Sequence, residues 1–411
     1  MKKITVISFL LVLLVSSCSL IKQYRYMSKA KAPKGTFRTE IPFELNNGLI
    51  VIKVKLNGSD KEFAFILDSG APVSIIYQEA FESSKAKTVM TYKVSDSQGN
   101  STKSDYVMLN AGLGDLLFKD IFAAYSPNTN EFISCIAAGG VIGANLMQTA
   151  NWQIDFANEK IVISDFKKAS LPDLKEYQKV SFSKRAPFGF MPWLTVLPGM
   201  TVDLKVNGKL FKDVFVDLGS SGALTLPKNA ATDRLFKNDL KEVRIGASFG
   251  LLGARMDTTF NYSSSAIYME KIKFNDYTID IAKKNQSLLG MKVFSDYMMF
   301  IDFRKKDLYL KPIVRENSTT DEKEFGFSPI YDSKSKTCYV ISLYEGSSAV
   351  KAGLQLKDTL VEINNEKLPA FNDYCEFKKW YRKFHSQEVV MLKTRRSNEI
   401  MKIEKAVIPK R

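Results

Sequence analysis

From about Phe37 to Leu310 the chain runs in short alternations of apolar and polar residues, broken by Asn-Gly, Gly-Asp and Pro turns. A period of two puts one face of each run inward, so the pattern predicts strands joined by tight turns, with little helix. Val54-Lys55-Leu56-Asn57-Gly58 and Leu204-Lys205-Val206-Asn207-Gly208 each read as the first arm of a hairpin. In both, Asn-Gly supplies the positive φ angles of the turn. An apolar run follows each, Phe65-Ile66-Leu67 and Phe215-Val216, and leads directly into Asp68-Ser69-Gly70 and Asp217-Leu218-Gly219.

Further landmarks recur in the same order. Val141-Ile142-Gly143 lies 75 positions after Asp68 (counted to Gly143), and Leu288-Leu289-Gly290 lies 73 after Asp217. Twelve residues beyond each glycine comes a second Asp, in Ile154-Asp155-Phe156 and Ile301-Asp302-Phe303. Asp155 and Asp302 lack a following Gly and read as closing a strand–turn. Asp68 and Asp217 are different, because a carboxylate at the end of an apolar strand is costly unless paired or hydrogen-bonded. Two of them at matching places in two halves point to a facing pair. Such a pair shares one proton and can hold a water as nucleophile.

This constellation resembles the retropepsin-like and pepsin-like aspartic peptidases over roughly two-thirds of the chain. The resemblance implies a mainly β fold of two duplicated acid-protease-like β-barrel lobes, residues 36–167 and 196–314, with a cleft between them and a linker at 168–195. It implies an aspartic-type endopeptidase acting on a polypeptide substrate, with Asp68 and Asp217 catalytic and no cofactor or metal. Ser69, Gly70, Gly219 and Ser220 would support the catalytic loops, the glycines by letting backbone approach the carboxylates. The hairpin around Gln98 and Gly99 would be the substrate-covering flap, or else an ordinary surface hairpin. In the second half the corresponding stretch, Arg244 to Gly253, is Gly-rich and apolar, a different kind of cover or none. Leu218 departs from the family pattern, standing where a Thr or Ser hydroxyl braces the pair. The alternative is therefore a catalytically impaired peptide-binding lipoprotein of the cell envelope.

Composition changes again after the charged stretch 315–323. Gly346-Ser347-Ser348-Ala349, Ala352-Gly353-Leu354 and Asp358 to Asn364 are similar to the PDZ domains of exported bacterial proteases. Residues 324–411 are thus expected to form a small α+β PDZ domain. Phe325-Gly326-Phe327 would be its carboxylate loop, for a peptide C-terminus or a partner protein. The linker carries no apolar face, so few contacts are expected to cross the boundary, and this segment is expected to fold alone.

The ends and the charge add a location. Met1-Lys2-Lys3, an apolar run from Ile4 to Val15, and Ser16-Ser17-Cys18 look like a lipoprotein signal at 1–18, with Cys18 lipidated. Residues 19–35, polar and Lys-rich, read as a tether to the membrane. No acidic cluster follows Cys18, which favours the periplasmic face. The three other cysteines, Cys135, Cys338 and Cys375, are an odd number scattered over separate units, which argues against a disulfide framework. His385 is the single histidine, so zinc catalysis and Ser-His or Cys-His triads are excluded as leading readings. A net charge of +15 is spread along the chain without basic runs interleaved with aromatics, and nucleic acid is not expected as a partner.

Overall fold

A computed structural model of the chain describes residues 22, 23, 25–95, 101–127, 131–184, 199–250, 253–264, 266–274, 277–284, 286–313, 323–397 and 399–408. The protein is mainly β, with three sheets among these residues. The expected signal at 1–18 with Cys18, the flap candidates Gln98 and Gly99, and most of the expected linker at 315–323 lie outside them.

In the first half, Leu49–Leu56 and Glu62–Asp68 form the expected hairpin, with Asn57 at φ 50° and Gly58 at φ 79° in its turn. Glu62–Asp68 then runs parallel to Gly140–Gly143, placing Asp68 beside Gly143. Ser74–Tyr77 packs on the other side of Gly140–Gly143 and runs parallel to Leu116–Ser126. The second half repeats these pairings. Met200–Val206 and Lys209–Asp217 form a hairpin with Asn207 and Gly208 at φ 47° and 83°. Asp217 lies beside Gly290 in a parallel pair, and Leu224–Pro227 sits between Leu288–Gly290 and Tyr277–Ala282. The two halves meet in a six-stranded sheet, where Asn151–Asp155 pairs antiparallel with Tyr297–Asp302. At the ends of these strands Asp155 accepts from the N–H groups of Ala157 and Asn158, and Asp302 from those of Arg304 and Lys305. Both are turn caps, as their sequence setting suggests.

Residues 323–408 build a second apolar core from Phe325, Tyr331, Val340, Ile363, Phe377 and Leu392 among others. Its helix Tyr374–His385 starts at Asp373, whose side chain accepts from Glu376 N at 2.9 Å. Phe377, Trp380, Tyr381 and Phe384 recur at helical spacing and pack on this core. Cys338 is buried and free, while His385 is exposed.

Three expectations need correction. The strand Thr337–Tyr344 pairs with Lys241–Gly250 (Arg244 with Tyr344, Ile245 with Leu343, Gly246 with Ser342), so one sheet continues from the second half into the C-terminal segment. Cys135 and Cys375 form a disulfide with Cα atoms 5.3 Å apart, 240 residues apart in sequence. Around it Glu131 accepts from Tyr374 N at 3.3 Å and hydrogen-bonds Ser333, and Phe132 packs on Tyr374. The composition of a linker reports only on the linker; the docking here is made by a strand edge and a helix face beyond it. Contacts across the boundary are therefore extensive, and a disulfide exists. Finally, the stretch read as tether is docked from Arg25 onward. Tyr26 stacks on Phe122 at 5.5 Å between ring centroids, Met27 is buried, and Lys31 bridges to Lys119. Lysines marked the segment as polar, but Tyr26 and Met27 carry enough apolar surface to hold it on the sheet.

Candidate active site

Asp68 and Asp217 come from equivalent strand ends and hydrogen-bond each other. The loops that carry them are backed against the opposite carboxylate. A Cβ placed on Gly70 would stand 2.5 Å from Asp217 Oδ1, and one on Gly219 would overlap the Asp68 carboxyl group. Any side chain at either position would push the pair apart, so glycine is required by this close approach.

The two carboxylates are not equivalent. Asp68 Oδ1 accepts from Gly70 N at 2.7 Å and Ala71 N at 2.9 Å. Asp217 Oδ1 accepts from Gly219 N at 3.0 Å, whereas Ser220 N turns to the Asp217 carbonyl, at 3.2 Å. Burial raises both above the ordinary carboxylate range, and the neighbouring Asp68 charge raises Asp217 further. Extra N–H donors favour the charged form. Asp68 is therefore the first to ionise, and Asp217 holds the shared proton.

Ser69 is fully buried and links the two loops. Its Oγ donates to the Val216 carbonyl at 2.7 Å and accepts from Leu218 N at 3.1 Å. Leu218, also fully buried, has no hydroxyl to return the bond and joins the apolar core instead. Half of a reciprocal brace is present. Ser220 takes part through its backbone, its carbonyl accepting from Met291 N at 2.8 Å.

Behind Asp68 the support is made by two side chains that sequence reasoning passed over. Asn145 Oδ1 accepts from both Ser74 N and Ser74 Oγ at 2.9 Å, and Ser74 Oγ accepts from Gly143 N at 3.0 Å. Asn145 Nδ2 donates to the Phe122 carbonyl at 2.8 Å. An Asn two residues after the Gly143 element was the available signal. In the second half the same place is held by backbone bonds, Gly290 N to Ala223 O and Lys292 N to Gly222 O.

A cavity of about 320 Å³ opens over the pair. The strands around Asp68 supply apolar walls, including Leu49, Ile66, Ile75 and Val141, while Phe249 and Gly250 reach it from the hairpin Lys241–Gly250/Gly253–Ser264. That hairpin, doubtful as a cover in sequence, thus borders the cavity, and Phe249 stacks on Phe132 at 4.6 Å. The proposed carboxylate loop lies elsewhere. Phe325 is buried, and Gly326 takes φ 80° with its carbonyl accepting from Tyr344 N at 2.9 Å. Phe327 opens the strand Phe327–Asp332.

The raised pKa of Asp217 has a measurable consequence for stability. Between the unfolded value of about 3.9 and its higher folded value, the unfolded chain releases this proton and the folded one keeps it. The group thus favours folding fully below the unfolded value, and that contribution fades as pH rises through the folded one. Asp217→Asn never ionises. Its thermal midpoint is expected to match wild type at low pH and to exceed it increasingly towards neutral pH. A constant or shrinking difference in scans across that range would refute a protonated Asp217.

No protein-family model matches the chain, and no curated protein matches it.

Proposed function

We propose that this protein is an aspartic-type endopeptidase of the bacterial cell envelope, hydrolysing peptide bonds with water activated between Asp68 and Asp217. The observation that carries the reading is the hydrogen-bonded pair of strand-end carboxylates, each backed by a glycine of the opposite loop, beneath an apolar cavity. In this reading the halves with matching strand pairings are duplicated acid-protease-like lobes, and the cavity is part of the cleft between them.

Asp68, ionised first, takes a proton from a water lying between the carboxylates. The resulting oxygen attacks the scissile carbonyl carbon while Asp217 donates its proton to the carbonyl oxygen. The amide becomes a neutral tetrahedral gem-diol. Collapse reverses the transfers: a hydroxyl proton returns to Asp217, and the proton on Asp68 passes to the departing nitrogen as the C–N bond breaks. Atoms and charge balance, and the dyad ends as it began. Ser69 holds the two loops in register, which matters because a small misplacement of reacting groups greatly slows such a reaction.

Residues 324–411 are read as a PDZ domain offering Phe325-Gly326-Phe327 and the strand Phe327–Asp332 to a peptide C-terminus or partner protein. Cys18 is read as the lipid anchor that keeps the protein on the membrane, facing the periplasm.

Leu218 favours a second reading, a peptide-binding lipoprotein that has lost catalysis, because the hydroxyl that would mirror Ser69 is missing. Incubation with a denatured polypeptide at acidic and neutral pH, with and without a statine-type inhibitor, separates the two. Inhibitor-sensitive fragments support the peptidase; intact polypeptide at both pH values supports the binder. Leu218→Thr restores the missing half of the brace and is expected to raise turnover by about tenfold. Equal or lower turnover would mean that Leu218 does not limit alignment.

A further inference from the structure

Tyr77 closes the strand Ser74–Tyr77 and is held there by its N–H, which donates to the Gly139 carbonyl at 3.1 Å, and by its pairing with Ser126. It lines the cavity over the Asp pair and is 2% exposed, yet its hydroxyl has no hydrogen-bond partner among the described residues. Leaving a buried hydroxyl unpaired destabilises a fold, and phenylalanine would occupy the same space without that penalty. Tyr106, lining the same cavity, differs: its hydroxyl donates to the Lys93 carbonyl at 3.3 Å. Apart from the Asp pair, Gln23 and Lys93, the cavity is lined largely by hydrocarbon, including Ile66, Ile75, Ala124, Ile133 and Val141. Burial, with the Asp68 charge adding to it, keeps the phenol neutral, so it can both donate and accept.

We propose, resting on the reading that the site holds a polypeptide across Asp68 and Asp217, that this cavity receives a substrate side chain with an apolar body and a polar tip. Tyr77 is the specificity-determining residue that hydrogen-bonds the tip. Tyrosine belongs to this class: its ring suits hydrocarbon walls, and its hydroxyl pairs with the Tyr77 hydroxyl. About 320 Å³ accommodates an aromatic side chain. A site built to bond a hydroxyl disfavours the analogue without one, because its own polar group then stays unpaired.

The test uses two peptides with a reduced, uncleavable central amide, flanked on both sides by tyrosine or on both sides by phenylalanine. Calorimetry on the full chain is expected to show the tyrosine peptide binding roughly tenfold tighter. In Tyr77→Phe the ratio should fall towards one, while the phenylalanine peptide binds at least as well as to wild type. The substitution removes only an unpaired oxygen, so the thermal midpoint should be equal or higher. A wild-type ratio near one, a preference that survives in Tyr77→Phe, or no binding of either peptide overturns the proposal. Hydrolysis of the ordinary amides is measured separately. A Tyr77-dependent binding ratio without hydrolysis keeps the pocket and removes the peptidase; hydrolysis with a Tyr77-independent ratio does the reverse.

Discussion

Asp68→Asn is expected to lower the turnover of peptide hydrolysis by roughly 10³-fold or more while leaving the protein folded. Asn keeps the shape of Asp, and its Oδ1 can still accept the Gly70 and Ala71 N–H bonds that Asp68 accepts. What is lost is the group that takes the proton from water. The new amide would face Asp217 as a donor. Burial would still favour the protonated form, but the Asp68 charge that also holds the proton would be gone, so Asp217 would give it up more readily and the acid role would suffer along with the base. KM should change little, because the cavity walls are untouched. Retained turnover in Asp68→Asn, with normal folding, would end the dyad reading. A parallel loss in Asp217→Asn, no larger in the double variant, is the signature of two groups acting as one unit.

Removing the Cys135–Cys375 bond should have the largest effect on stability. The bridge closes a loop of about 240 residues, and cross-linking a loop of that size removes much of the freedom of the unfolded chain. Cys375→Ser is expected to lower unfolding free energy by about 2–5 kcal/mol, read as an earlier denaturation midpoint that added reductant does not move further. The effect should reach the site as well, since Cys135 lies in the helix Glu131–Ile136, whose Ile133 lines the cavity. An unchanged midpoint would mean that the strand pairing at Arg244–Tyr344 and the Glu131 contacts already hold the C-terminal segment.

What could be seen in the sequence was what local chemistry dictates. Asn57-Gly58 and Asn207-Gly208 must turn because two successive positive φ angles favour those residues, and both do. The Gly143 and Gly290 elements recur at matched intervals, and each lies beside its Asp. The missed features depend on segments far apart in the chain. Nothing in Ser74-Ile75-Ile76-Tyr77 distinguishes a core strand from one whose last residue lines a cavity and carries a buried hydroxyl, unpaired among the described residues. Lys241–Gly250 reads as a Gly-rich strand, but the partner that explains Gly246 is Ser342, whose Cα would lie against any added Cβ. Cys135 and Cys375 lie in different units, and three cysteines beyond Cys18 cannot choose between pairing and none.

The pairing of Cys135 with Cys375, past Cys338, has a consequence for biosynthesis. After Cys18, a chain made from its N-terminus presents Cys135, then Cys338, and Cys375 last, 37 residues after Cys338. Where the chain enters an oxidising compartment N-terminus first, the wrong partner is available to Cys135 before the right one arrives. Cys338 ends buried in the strand Thr337–Tyr344, out of reach of any oxidant. The C-terminal core therefore has to close over Cys338 before Cys135 is oxidised, or an exchange catalyst has to undo the early bond. The yield of active protein in an oxidising compartment would then depend on that race, and folding of the last ninety or so residues would act as the proofreading step.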